Sequence, residues 1–496
     1  MTRSPVALGI AAALLTAAAV GAEKPEKRPL LEKPHRRLVV CFDGTLNNAE
    51  QEVVELGNHK VFKPTNVLKT FRAVLPVASD GKSQLIFYTE GVGGVIGEPD
   101  LFGRELVFLD QLNGGAFATG FEANIKAGYR FLVANYEPGD EIFIFGFSRG
   151  AAQAQSLARF IDYVGGLLHK GDEYWLIALF DSYRNSLPPQ SSTAADLFWR
   201  IRHPKEEARS AGHPADACGY KNLPRRDGCM ARPRPPKPED YDEHIQDPQP
   251  VKIRFLGVWD TVLSTGARIL SDFCKQDVPT VCSKYDFHIG RDGKPPAIVT
   301  TVRQALAIDE HRWDFRPQIW RSPASPEQSL KQLWFPGVHS NIGGGYYLDG
   351  LADGALQWMI GEAQAAGLDV DCYRLDRYYT PCVLGTRCDS DKGFFAVQEF
   401  LRGKRGRGVR DLTAGNHIED AGIAVHESAA YLLVVDPTYR PVNLLSFLAQ
   451  DANRIPHLSD AAQQAKLLAI VEDFKRQSPT EAARAARQSL KRCPNG

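Results

Sequence analysis

A serine flanked by glycines two residues to either side, in Gly146-Phe147-Ser148-Arg149-Gly150, has the residue types and spacing to perform nucleophilic chemistry. The apolar, β-branched and aromatic run Glu141 to Phe145 precedes it at strand length. From Arg149 on, Ala151, Ala154, Leu157, Ala158, Ile161 and Val164 recur at helical spacing. A strand that turns sharply into a helix holds such a serine in a strained backbone, with its Oγ projecting beyond the sheet. The glycines then let strand and helix approach each other. The N–H of Arg149 falls at a helix N-terminus, where partial positive charge suits an oxyanion.

A serine nucleophile needs a base and an acid to orient it. Val251 to Trp259 reads as a buried strand that ends in Asp260, which places an acid on the carboxyl edge of a sheet. Lys331 to Phe335 reads as a later strand leading into the glycine-rich loop that holds His339. The order Ser148, Asp260, His339 is that of the α/β-hydrolases. Competing groups are placed elsewhere: Asp309, Glu310 and His311 in an expected helix from 305 to 311, and His35 in an N-terminal tether.

The elements that must carry these residues alternate. A strand at 38–42 leads into Asp43-Gly44-Thr45, a second strand spans 84–88, a helix covers 121–136, and the strand of the nucleophile follows. Such alternation predicts an α/β fold, α/β-hydrolase-like, with a mostly parallel sheet flanked by helices. The loop 43–45 then stands where this fold places its second oxyanion donor, from the backbone of Gly44 or Thr45. The Asp43 side chain either caps that loop or contacts substrate. An aspartyl phosphatase pattern would require its nucleophile at position 41, which is cysteine.

Lys+Arg and Asp+Glu both number 59, which gives no global field for nucleic acid. Residues 1–22 have the basic start, short apolar run and small residues of a secretory signal, which predicts an exported protein, periplasmic or secreted. A charged tether follows at 23–36. The hydrolase domain is expected at 37–367 with an insertion at about 168–250, and a small accessory region at 368–496. Residues 201–238 carry nine Lys/Arg against four Asp/Glu and seven prolines, which suits a lid, a surface for anionic lipid with peripheral membrane contact, or a solvated loop. Cys41 reads as an inert core thiol. Cys218 with Cys229 and Cys274 with Cys282 read as local disulfides, with the connectivity of Cys372, Cys382, Cys388 and Cys493 open. No Cys-x-x-Cys or histidine cluster supports a metal site, and the chemistry requires no cofactor.

Phe42-Asp43-Gly44-Thr45, Thr65-Asn66-Val67, Gly146 to Ala151, Val258-Trp259-Asp260-Thr261-Val262 and Trp334 to Ser340 with Gly343 to Tyr346 together resemble the α/β-hydrolase domain of type VI secretion phospholipase effectors. The resemblance covers about residues 36–367. It implies Ser148, Asp260 and His339 as nucleophile, acid and base, and an activity on lipid esters, as a lipase or a phospholipase A-like enzyme. Asn341 stands where the family often has aspartate, and a secretory signal departs from effectors loaded in the cytoplasm. A carboxylesterase on small or carbohydrate esters and a binding protein that retains the fold are the other readings.

Overall fold

Strands covered on both faces must be apolar in both directions, and the chain has such runs. The computed structural model describes residues 35–44, 47, 52–55, 59–62, 64–91, 115–185, 246–262, 292–312, 315–387, 408–413, 415 and 418–477. In chain order the strands are β1 (Arg37–Phe42), β2 (Glu52–Glu55), β3 (His59–Phe62), β4 (Gln84–Thr89), β5 (Glu141–Phe147), β6 (Ile253–Trp259), β7 (Val299–Ala307), β8 (Ser329–Phe335) and β9 (Ile423–Val425). The helices are α1 (Asn66–Ala73), α2 (Gly115–Asn135), α3 (Arg149–Val164), α4 (Leu176–Asn185), α5 (His339–Gly343), α6 (Gly350–Ala365), α7 (Cys372–Tyr378), α8 (Glu427–Val435), α9 (Val442–Gln450) and α10 (Ala461–Arg476).

Seven strands form one parallel sheet in the order β4-β1-β5-β6-β7-β8-β9, while β2 and β3 pair antiparallel apart from it. Alternation along each strand divides the core. Leu38, Val40, Phe42, Ile142 and Ile144 pack under α2 and α3 on one face, and Val39, Cys41, Phe143 and Phe145 meet α1 and α6 on the other. This is the expected α/β-hydrolase-like class. The helix expected at 121–136 begins earlier, at Gly115, and buries Phe121, Ile125, Tyr129 and Leu132 as its spacing requires.

Three expectations change. The segment 305–311 is not helical: Ala305, Leu306 and Ala307 end β7, paired with β6 and β8, and Asp309 and Glu310 lie just past the strand. Alanine-rich composition favours helix locally, but complete burial between two strands wins. The expected insertion also begins later, because α4 packs Leu176, Leu179, Phe180 and Tyr183 into the core. Leu167 and Gln249 close the base of this excursion by exchanging backbone hydrogen bonds of 2.9 and 2.7 Å. Finally, the region after 368 is no mere accessory. It supplies the seventh strand, and α8 and α9 extend a third apolar cluster in which Leu432, Leu433, Leu444 and Phe447 cover Leu306, Ile308 and Trp334 of the sheet.

The signal segment, the tether up to residue 34, Thr45 and most of the basic insertion lie outside the described residues. Arg36, at the end of the expected tether, is already fixed: its backbone N–H and its guanidinium both donate to Asp140, each at 2.7 Å. Cys41 is a buried free thiol, and burial raises its pKa strongly. Cys372 and Cys382, whose connectivity the sequence left open, are also free thiols, and exposed, which corrects the expectation of local disulfides at these two positions; Cys218, Cys229, Cys274, Cys282, Cys388 and Cys493 fall outside the described residues. Among the described residues no helix is long and apolar enough to cross a membrane.

Candidate active site

The sheet register brings three strand ends together. Phe147 of β5 pairs with Trp259 of β6, so the next residues, Ser148 and Asp260, leave the sheet side by side. Ala307 of β7 pairs with Phe335 of β8, four residues before His339. Ser148 adopts φ 57° and ψ −122°, and Asp260 φ 41°; these are the two described non-glycine residues with positive φ. Strain at two adjacent strand ends marks backbone held for a purpose other than local stability. A Cβ at Gly146 would collide with the Gly150 carbonyl, and one at Gly150 with the carbonyls of Phe42 and Asp43. Both glycines therefore serve the close approach expected of the turn.

His339 begins the one-turn helix α5. Its Nε2 lies 2.7 Å from Ser148 Oγ, and its Nδ1 lies 2.5 Å from Asp260 Oδ2. The sequence assigned His339 to a glycine-rich loop; the chain instead coils there, because Asn341 Oδ1 accepts from Val338 N–H at 3.2 Å and closes the turn. Asn341 also donates to the Thr386 carbonyl at 3.2 Å. Asn341 is thus engaged in shaping the histidine loop. Gly337 N–H donates to Asp309 Oδ2 at 2.7 Å, and Asp309 N–H returns a bond of 3.0 Å to the Gly337 carbonyl. His339 N–H donates to Glu310 Oε2 at 3.2 Å, and Glu310 accepts a fork of two 2.9 Å bonds from Arg312. Asp309 and Glu310 hold the His339 loop from behind.

Aromatic rings fix the imidazole plane. Phe147 lies 4.7 Å from it at 33°, and Phe315 meets it edge-on at 4.9 Å, with Arg312 stacked over the Phe315 ring. Burial lowers the His339 pKa against the opposing pull of Asp260, so the ring is neutral at neutral pH and can accept a proton. Burial alone would raise the Asp260 pKa; the nearby Arg410 charge and the His339 hydrogen bond outweigh it and hold the carboxyl below its ordinary range.

Arg410 escaped the sequence reading altogether. Its Nη1 donates to Asp260 Oδ1 at 2.7 Å and its Nη2 to Oδ2 at 3.0 Å, a fork on the acid from a residue 150 positions away. The basic run just before it, 402–408, gave no periodicity by which to place it.

The loop after β1 is arranged differently from its expectation. The Gly44 N–H donates to its neighbour Asp43 Oδ1 at 2.6 Å, so this candidate oxyanion donor is already engaged. Asp43 Oδ2 accepts from Thr65 Oγ1 at 2.8 Å and Tyr88 Oη at 2.6 Å. The carboxylate is 1% exposed, which favours the loop-capping alternative over substrate contact. Arg149 lies at the first turn of α3 with its side chain buried. Of the sequence candidates, Ser148, Asp260, His339 and Arg149 converge, Asp43 and Gly44 stand beside them in a closed loop, and Thr45 lies outside the described residues. The groups assembled can relay a proton and attack an acyl centre; among the described residues no His/Cys/Asp/Glu group is arranged to hold a metal ion.

The family model described as the catalytic domain of Tle1-like phospholipase effectors of the type VI secretion system matches residues 36–362. The uncharacterized protein YEL023C of Saccharomyces cerevisiae is 34% identical over 174 residues, which are 33% of this chain and 24% of that protein, so the chain spans about a quarter of that relative's length. Among solved structures, an uncharacterized protein from Pseudomonas aeruginosa aligns at 16% identity and a TM-score of 0.35, over 92% of this chain and 62% of that one. A Tle1 effector, solved bound to the VgrG spike of a type 6 secretion system, aligns at 18% identity and a TM-score of 0.28, over 63% of this chain and 52% of its own.

Proposed function

We propose, from the premise that the chain belongs to the Tle1-like phospholipase effector family through its catalytic domain, that it hydrolyses carboxylic esters of lipids through an acyl-enzyme on Ser148. Family membership supports a phospholipase-type hydrolase. The observation that carries the finer reading is the hydrogen-bonded line from Ser148 Oγ through the His339 ring to Asp260, at 2.7 and 2.5 Å.

In this mechanism neutral His339 takes the Ser148 proton as Oγ attacks the ester carbonyl, and Asp260 steadies the imidazolium that forms. The Arg149 N–H, at the start of α3, faces the developing oxyanion with the helix dipole behind it. His339 then returns its proton to the leaving alcohol. Water repeats the sequence on the acyl-enzyme and releases the fatty acid. Since protonation of His339 removes the base, kcat/KM should rise with pH through the lowered histidine pKa and then level off.

The test is labelling with a fluorophosphonate. Wild-type protein should label and Ser148→Ala should not, with turnover of phospholipid vesicles falling by about 10³-fold or more. Folded wild-type protein that fails to label sinks the reading. Preference for short soluble esters over vesicles would assign it instead to the carboxylesterases.

A further inference from the structure

We propose that Arg410 is a positioning residue of the reaction, a guanidinium fork that fixes the carboxylate of Asp260 toward His339 and makes the chain beyond the matched catalytic domain part of the working site. This rests on the serine-hydrolase reading above. The family match ends at residue 362, whereas Arg410 lies 48 positions later and still meets the fully buried Asp260.

The geometry is that of a built contact. Both terminal nitrogens serve one carboxylate oxygen each, at 2.7 and 3.0 Å. Nη1 also donates to the Ala307 carbonyl at 2.8 Å, and Nη2 to the Phe315 carbonyl, so the guanidinium is tied to the end of β7 and to the residue whose ring meets His339. The arginine side chain is 3% exposed and that of Asp260 is fully buried. Its strip is anchored in turn: Gly408 N–H donates to the His311 carbonyl at 3.0 Å, and the Leu412 carbonyl accepts from Trp334 Nε1 at 3.0 Å.

Such a fork does two things that a lone carboxylate would lack. Planar, two-point contact fixes the rotation of the carboxyl group, so that Oδ2 faces His339 Nδ1. A permanent positive charge behind the acid also keeps it ionised without letting it hold the imidazolium proton too tightly. Removing that charge strengthens proton binding by the Asp260–His339 pair. More of the histidine is then protonated at a given pH, and the acid limb of the rate profile moves to higher pH.

The experiment compares full-length Arg410→Gln, Arg410→Lys, Asp260→Asn and the Asp260→Asn/Arg410→Gln double variant, with Ser148→Ala alongside. Arg410→Gln should lower kcat about 10- to 100-fold with little change in KM and shift the acid limb upward by about half a pH unit or more. Arg410→Lys keeps charge but loses the fork, so it should lower kcat about 3- to 10-fold with the limb nearly unmoved; it serves as the test if the glutamine variant does not fold. In the Asp260→Asn background the glutamine substitution should cost less than about twofold, because its route to the reaction is gone. Equal losses in both backgrounds, an unmoved limb in Arg410→Gln, or wild-type kcat in Arg410→Lys overturns the inference. Turnover retained by Ser148→Ala would instead defeat the underlying hydrolase reading, whatever Arg410 does.

Discussion

Of the buried aspartates at carboxyl ends of this sheet, Asp43 and Asp260 have surroundings that give them opposite chemistry. Asp43 follows β1, and every donor that meets it is neutral: the hydroxyls of Thr65 and Tyr88 and the N–H of Gly44. Burial dominates there and pushes its pKa up to about 6. Asp260 follows β6 and meets Arg410 and His339, which hold its carboxyl below the ordinary range despite equal burial. Burial alone makes a carboxyl reluctant to ionise; a buried acid that must stay charged beside a base requires a cation of its own. The β1 edge is thus an acid held by neutral donors alone, and the β6 edge an acid held by charged and ionisable partners.

The comparison breaks first at Asp260. Asp260→Asn should cost about 10³- to 10⁴-fold in kcat, measured on a chromogenic ester, since it loses histidine orientation and imidazolium stabilisation together. Near-normal turnover would mean that the relay runs through another acid. Gly150→Ala probes how the β1 edge supports the β6 edge: its new methyl would press on the carbonyls of Phe42 and Asp43, prising α3 from β1. Thermal unfolding should show a loss of about 1–3 kcal/mol, with a parallel drop in fluorophosphonate labelling. Unchanged stability would show that β1 does not brace the turn.

The smallest effect is expected at Asp43. Asp43→Asn keeps an acceptor for its hydroxyl donors, so kcat should change less than about fivefold. Its signature lies in stability against pH. The folded pKa of about 6 exceeds the ordinary 3.8, so the ionised form is penalised in the folded protein. The group's contribution is fully present below about pH 4 and is lost as pH rises through about 6, a change on the order of 1–3 kcal/mol. Asp43→Asn should flatten that stretch of the Tm-against-pH curve. An unaltered curve would remove the contrast between the two aspartates.

Much of the site was legible because its signals are local. The strand, the glycines and the helical spacing from Ala151 to Val164 lie within one short stretch and reflect steric needs of a single turn. Asp260 and His339 were found by the strands that precede them and by their order. The segment 305–311 was misread because a strand buried on both faces shows no alternation, and its alanines suit a helix equally well. The bond from Gly44 N–H to Asp43 was not legible, since nothing in a sequence tells whether an N–H is already taken by the neighbouring side chain.

The sequence by itself determined the sharp strand-to-helix turn at Ser148, the parallel α/β class and the order of Ser148, Asp260 and His339, because apolar periodicity and glycine sterics act between near neighbours. Only the tertiary structure decided that a helical layer after residue 368 completes the core, that Asn341 closes the histidine turn, and that Arg410 reaches Asp260. Those are electrostatic and packing relations across long stretches of chain. Charge has no periodicity, so an arginine in a basic segment gives no sign of its partner until the fold removes both from water.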